Sequence, residues 1–378
     1  MGNKKFAYLS IPGVILMSLL VVYIGHFLLS EKKPEPQEST EQSEALPAEP
    51  TPSVKYIHLS KIIQGDPQEI HILEVDVSKP DIKLSPVLSS DLIYGFDHLS
   101  AMAARKHAFA AVNGGFFTEF GLPSGMVVID GVLATISKGK FPVFTISGGK
   151  AVLTEIKSKL YLKGKAGRLE IDNINRPGSK DEAIAYTPVY GSINRAEEEN
   201  FTLQIKNGVI TKMDLEEDES EIPKEGMLVS LFGERFLNSG AVPFKPGDAV
   251  ELIHEPQLAP DTQAYECGSW IVKEGQVVIG DKDVWVGVLT NQDPRTAVGI
   301  KGDGTVVFVV VDGRQPGYSS GMTGRELGRF LVDYGVVNAA MLDGGASSEM
   351  IYNGALVSRP SFKGQERPLA GGFIIVRK

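Results

Sequence analysis

The sequence predicts an α+β domain: a strand-rich mixed sheet with two or three helices, preceded by one transmembrane helix. Three observations carry this. Short apolar runs, many alternating with polar residues, are punctuated by Asn-Gly and Asp-Gly pairs, the signature of strands joined by tight hairpins. Only one long window, Thr323 to Tyr334, has clean helical periodicity, with Leu327, Phe330 and Leu331 on one face. The stretch Phe6 to Leu29 is predominantly apolar and carries no Asp, Glu, Lys or Arg, and at helical rise it is long enough to span a hydrocarbon core.

From the N-terminus, residues 1–5 read as a short cytoplasmic segment carrying Lys4 and Lys5, and 6–29 as a signal-anchor helix. A cleavable signal peptide is the competing reading. However, the run is long for one, and Gly25-His26-Phe27-Leu28-Leu29 supplies no small-x-small site. The N-terminal lysines and the large following domain place that domain on the extracytoplasmic side of a single-pass cell-membrane protein. Residues 30–53 are rich in Glu, Pro and Ser without apolar periodicity. They read as a disordered acidic linker, and 54–378 as the folded domain.

Within that domain, Glu69 to Val77 alternates as a strand. Asp97 to His107 reads as a short helix with Asp97 at its N-cap, and Phe109 to Val112 as a buried strand. Hairpins turn at Asp130-Gly131, Asn207-Gly208 and Asp303-Gly304. Glu216 to Glu221 is an acidic loop. Thr323 can cap the periodic helix, and Asn338 to Leu342 and Phe373 to Val376 close the sheet.

The net charge of -9 makes the chain a poor general nucleic-acid binder, because phosphate neutralisation needs a basic face. The single cysteine, Cys267, forbids an intramolecular disulfide and any cysteine-built zinc site. It reads as a buried inert thiol. His107 reads as structural.

Polar clusters flanked by glycine or proline sit at strand ends: Asn113-Gly114-Gly115, Pro123-Ser124-Gly125, Asp293-Pro294-Arg295-Thr296, Asp312-Gly313-Arg314, Asp343-Gly344-Gly345-Ala346-Ser347-Ser348 and Glu366-Arg367-Pro368. Neither Asp312 nor Asp343 is flanked by a clean hairpin, so each is a candidate sheet-end carboxylate. Arg295, Arg314 and Arg367 suit bidentate capture of a phosphate or carboxylate. Pairing with Asp293, Asp312 or Glu366 is the structural alternative for them.

Taken in order, A-V-N-G-G-F-F (111–117), P-S-G-M-V-V-I-D-G (123–131), P-R-T-A-V-G-I (294–300), V-V-V-D-G-R (309–314), L-D-G-G-A-S-S-E-M (342–350) and E-R-P-L (366–369) resemble the phosphodiester glycosidase family. The resemblance runs from about Val54 to Lys378. It implies hydrolysis of a sugar–phosphate diester to free sugar and phosphomonoester, here on cell-envelope or exopolysaccharide glycans. Asp343, Asp312 and Glu366 are then the carboxylate candidates. Asn113, Arg295, Thr296, Arg314, Gly344, Gly345, Ser347, Ser348 and Arg367 are the substrate and phosphate contacts. A divalent cation, Ca²⁺ or Mg²⁺, between Asp312 and Asp343 is a minor alternative. A non-catalytic module binding anionic surface polysaccharide is the rival function. Ala346 and Glu349 depart from the family pattern, which has a third glycine and a threonine there.

Overall fold

Strand Val306–Val311 is buried at all six positions, and it organises the fold. In the computed structural model, which describes residues 52–237 and 242–378, it lies inside a seven-stranded sheet. The spatial order is Val54–Ile63, Asp66–Val75, Val306–Val311, Arg295–Lys301, Val336–Met341, Trp270–Lys273 and Gln276–Val277. Strand Val306–Val311 pairs antiparallel with both neighbours, with Arg295 opposite Val311, and the next pairing, with Ala297 opposite Met341, is antiparallel too.

Alternation sorts this sheet's side chains onto two faces. Val307, Val309 and Val311 pack with Leu327, Phe330 and Leu331 of helix Gly324–Asp333. Phe308 and Val310 point the other way, into the main core. That core also receives Val112, Phe373 and Ile375 from a second sheet, whose order is Ala355–Leu356, Met350–Tyr352, Ala110–Asn113, Gly371–Arg377 and Ile82–Leu88. The outer face of the second sheet is covered by helix Leu99–Arg105 through Leu99, Met102 and Ala103. The arrangement is helix, sheet, sheet, helix. Full burial of one such Phe or Val contributes about 1.5–3 kcal/mol, so the double-faced strands supply much of the stability.

The periodic helix begins as its sequence requires. The Thr323 hydroxyl accepts from Glu326 N at 3.2 Å, while the Glu326 carboxylate accepts from Thr323 N at 2.8 Å, a reciprocal cap. The expected hairpins at Asp130-Gly131, Asn207-Gly208 and Asp303-Gly304 are present. One expectation fails. Asp97 does not cap the first helix, whose N-cap is His98. The Asp97 carboxylate instead binds Arg105 at 2.8 Å, and the helix start is held by Glu366. Cys267 is buried, and burial pushes its thiol well above the usual range.

The expected membrane helix at 6–29 and most of the linker at 30–53 lie outside the described residues. Among the described residues, no helix is long and apolar enough to cross a membrane.

Candidate active site

The two sheets meet at the end of strand Val336–Met341. Leu342 N donates to Thr296 O at 2.9 Å, and Asp343 N donates to Gly114 O at 3.0 Å. The chain thus leaves the first sheet and is pinned at once to the end of strand Ala110–Asn113 in the second. Asn113 is fully buried at the junction. Its Nδ2 donates to Asp343 O at 2.7 Å and Gly114 O at 3.2 Å. Its Oδ1 accepts from the Thr296 hydroxyl at 2.9 Å and from Glu349 N at 3.2 Å. The Ser348 hydroxyl lies 3.1 Å from that of Thr296. A buried amide satisfied on both ends is a rigid spacer. It sets where the Asp343–Ser348 loop sits.

The loop turns tightly through Gly345–Ser347. Gly345 has φ +61°, and a Cβ there would stand 3.3 Å from the Arg314 guanidinium. Glycine therefore relieves backbone strain and lets that cation approach. Arg314 is aimed by its Nε, which donates to Asp293 at 2.8 Å. From the other side, Arg367 Nη1 donates to the buried Ser347 hydroxyl at 3.1 Å. The Arg367 guanidinium also lies over the Phe117 ring, 5.5 Å from its centroid. Behind the loop, Gly115 touches strand Gln263–Glu266. A Cβ on Gly115 would fall 2.7 Å from Glu266 O, and the Tyr265 ring fills the space beside it.

Burial raises the Asp343 carboxyl to about 6; the Ser347 hydroxyl, the Arg367 charge and Gly344 N–H oppose that rise. It is mostly ionised at neutral pH, yet more basic than an ordinary aspartate. Glu349, two residues past that turn, is completely buried and neither carboxylate oxygen has a well-formed hydrogen bond. Burial, followed by repulsion from Glu366, drives it up to about 9 against the Arg367 N–H and charge. It is a neutral acid at pH 7.

Other predicted residues are engaged in contacts of their own: Asp312 away from the loop, Arg295 behind Gly344 and near the Asp293 carboxylate that Arg314 uses, and Glu366 beside Arg367. Both Asp312 oxygens are engaged: the single Arg359 N–H is shared between them at 3.0 and 2.9 Å, the Tyr318 hydroxyl donates to Oδ2 at 3.1 Å, and His71 Nε2 is 3.3 Å from Oδ2. Strand Arg295–Lys301 separates Asp312 from the strand that delivers Asp343. Among the described residues, no group of three or more His, Cys, Asp or Glu side chains converges as a metal site. Arg295 is buried, with Nε donating to Met322 O and Nη2 to Asn291 O, both at 2.8 Å. Glu366 accepts from Ser100 N at 2.8 Å and from its hydroxyl at 2.6 Å, holding the first helix. The structure thus gathers Asn113, Thr296, Arg314, Asp343, Gly344, Gly345, Ser347, Ser348 and Arg367, and places Asp312, Arg295 and Glu366 in supporting contacts.

Residues 199–376, which include the Asp343 loop and all three of these arginines, match the family model for phosphodiester glycosidases. Over this region the chain is similar to the phosphodiester glycosidase family. Among curated relatives, an SPbeta prophage-derived protein of Bacillus subtilis is 34% identical over 98 residues, 26% of this chain and 15% of that protein. The N-acetylglucosamine-1-phosphodiester alpha-N-acetylglucosaminidase of Bos taurus is 32% identical over 106 residues, 24% of this chain and 19% of that enzyme. The chain therefore spans less than a fifth of either relative's length. Two solved structures share the fold. A protein from Synechocystis superposes with TM-score 0.71 at 18% identity, covering 86% of this chain and 62% of the other. A protein from Burkholderia pseudomallei K96243 superposes with TM-score 0.68 at 23% identity, covering 82% and 74%.

The two departures from the family pattern have physical readings. Ala346 does not have a positive φ, so its Cβ fits the turn without strain. Glu349 places a neutral carboxyl directly behind the loop. Sequence reasoning missed Tyr265, Ser100 and His71 as neighbours of the predicted residues. The glycine pair 114–115 hinted that a large side chain would press there, but it could not say which.

Proposed function

We propose that this chain hydrolyses a glycosyl-1-phosphodiester bond on a cell-envelope or exopolysaccharide glycan, from an outward-facing domain tethered by its N-terminal segment. The observation that carries the reading is Asp343: a carboxylate raised to about 6 at the junction of two sheets, with Arg367 and Arg314 on either side of its loop.

Cleavage at the anomeric carbon builds oxocarbenium character, which a neighbouring carboxylate stabilises. In this reading Asp343 lies beside that carbon and takes a proton from the attacking water. The C1–O bond breaks with its electron pair going to the phosphate oxygen. The leaving phosphomonoester is already a good anion, so a strong general acid is not required. Arg367 and Arg314 neutralise it, with Ser347 and the N–H groups of the glycine turn as donors. Asn113 and Thr296 fix the loop that carries the carboxylate.

Incubating the full-length protein with UDP-N-acetylglucosamine and with a phosphate-linked glycan, and following free sugar and phosphomonoester, tests this. Release of both products in equal amounts supports hydrolysis. Saturable binding with no released sugar would replace it with the polysaccharide-binding module.

A further inference from the structure

Arg176 is half-buried, yet among the described residues neither it nor Arg195 makes a hydrogen bond or an ion pair within 4.0 Å. Arginine left in this state is unusual, because burial of a charge without a partner is costly. Burial lowers the Arg176 guanidinium to about 10, with the Tyr94 and Glu266 charges opposing. Its position is enforced. Adjacent Asn175 is fully buried, with Nδ2 donating to Ala134 O and to the Thr187 hydroxyl, both at 2.9 Å, and with Oδ1 accepting from Thr187 N at 2.8 Å.

Arg195 is exposed but organised. Its guanidinium lies 4.3 Å from the Tyr94 ring centroid and 5.5 Å from that of Tyr190. The Tyr94 hydroxyl donates to that of Tyr190 at 3.1 Å, and the Tyr186 hydroxyl beneath is buried without a partner. Nearby carboxylates do not quench these cations. Glu266 accepts from Met126 N at 3.1 Å and is held by Ser137. Glu197 and Glu198 line a neighbouring cavity with Arg195 but are solvent-exposed and form no ion pair with it.

The cluster connects to the Asp343 loop through aromatic rings. Phe96, two residues past Tyr94, meets Phe117 edge-on at 5.7 Å, and Phe117 lies under Arg367. We infer that Arg176, Arg195, Tyr94 and Tyr190 form a second oxyanion subsite, which takes a neighbouring phosphodiester of a glycan with repeating phosphate links. This rests on the proposed hydrolysis for its substrate class. Guanidinium forks and phenolic hydroxyls are the donors that chemistry calls for, and Phe96 and Phe117 offer apolar surface to the sugar between two phosphates.

The test measures binding of oligo(glycerol phosphate), which has no glycosidic bond to cut, to the full-length protein by calorimetry at fixed salt. Wild type should bind saturably. The double variant Arg176→Ala/Arg195→Ala should bind at least tenfold more weakly, with Arg176→Lys/Arg195→Lys between them and unchanged near-ultraviolet circular dichroism in all. No binding by wild type or equal binding by the double alanine variant would overturn the subsite. Equally tight, arginine-dependent binding of an oligoglucuronate would overturn the phosphodiester assignment in favour of a carboxylate. Because no turnover is read, failure of the hydrolytic reading and failure of the subsite give different results.

Discussion

The side-chain amide of Asn113 donates to the backbone carbonyl of Asp343 at 2.7 Å, across 230 residues of sequence. This one bond ties the ends of two sheets together and fixes the loop on which the carboxylate rides. Replacing Asn113 by Ala leaves Asp343 O, the Thr296 hydroxyl and Glu349 N short of a partner. The expected cost is about 2–4 kcal/mol, read as a lower midpoint in urea, with turnover falling further than the folded fraction does. Asn113→Asp should not rescue, since it puts an unpaired charge in the same place.

Glu349 makes stability depend on pH. Its folded-state value of about 9 is above the ordinary 4.5, so the folded protein holds a proton that the unfolded chain releases. The resulting stability is full below about pH 4.5 and is lost progressively as pH rises toward 9. Glu349→Gln should therefore match wild type at pH 5 and exceed it by about 1–3 kcal/mol at pH 8, as measured by denaturant unfolding at the two pH values. Equal differences at both would show that the carboxyl is not held neutral.

Arg367 lowers the Asp343 carboxyl electrostatically. Arg367→Gln removes that charge, so Asp343 should become harder to ionise and the acid limb of the pH–rate profile should move upward. Arg367→Lys should keep the limb near its original position while weakening substrate capture, because an ammonium cannot reproduce the planar fork. Profiles of kcat/KM for the two variants separate the effects.

Asp312 anchors the segment that leads to Arg367 by sharing the Arg359 N–H between its two oxygens. Asp312→Ala should cost about 3 kcal/mol or more by orphaning Arg359 N, Tyr318 and His71. Turnover per folded molecule should change far less than in an Asp343 variant. Thermal unfolding measured together with active-site-normalised rates checks this.

Much of this architecture could be read from periodicity. The all-apolar run Val306–Val311, the Thr323-capped helix and the glycine hairpins follow from local pattern and are where they were expected. The loop Asp343–Ser348 stood out because a carboxylate followed by two glycines at a strand end has few other uses. What could not be read was partnership. Asp312 and Asp343 look alike in sequence, each ending an apolar strand before Gly, yet one is held by Arg359 N, Tyr318 and His71 and the other is flanked by Arg367 and Ser347. Glu366 next to Arg367 looked like part of the reaction centre, whereas its oxygens hold Ser100, 266 residues away. Such differences come from long-range pairing between strands, which no local pattern encodes.

The central claim is that the Asp343 carboxylate drives glycosyl phosphodiester cleavage. The most direct measurement is the pH dependence of kcat/KM for wild type and Asp343→Asn on one glycosyl phosphodiester. The account predicts a wild-type acid limb near the about-6 value of Asp343, a loss of about 10²–10⁴-fold in the variant, and a variant that is folded and at least as stable as wild type at neutral pH, since it no longer buries a charge. A folded Asp343→Asn protein with wild-type turnover and an unchanged acid limb would contradict it.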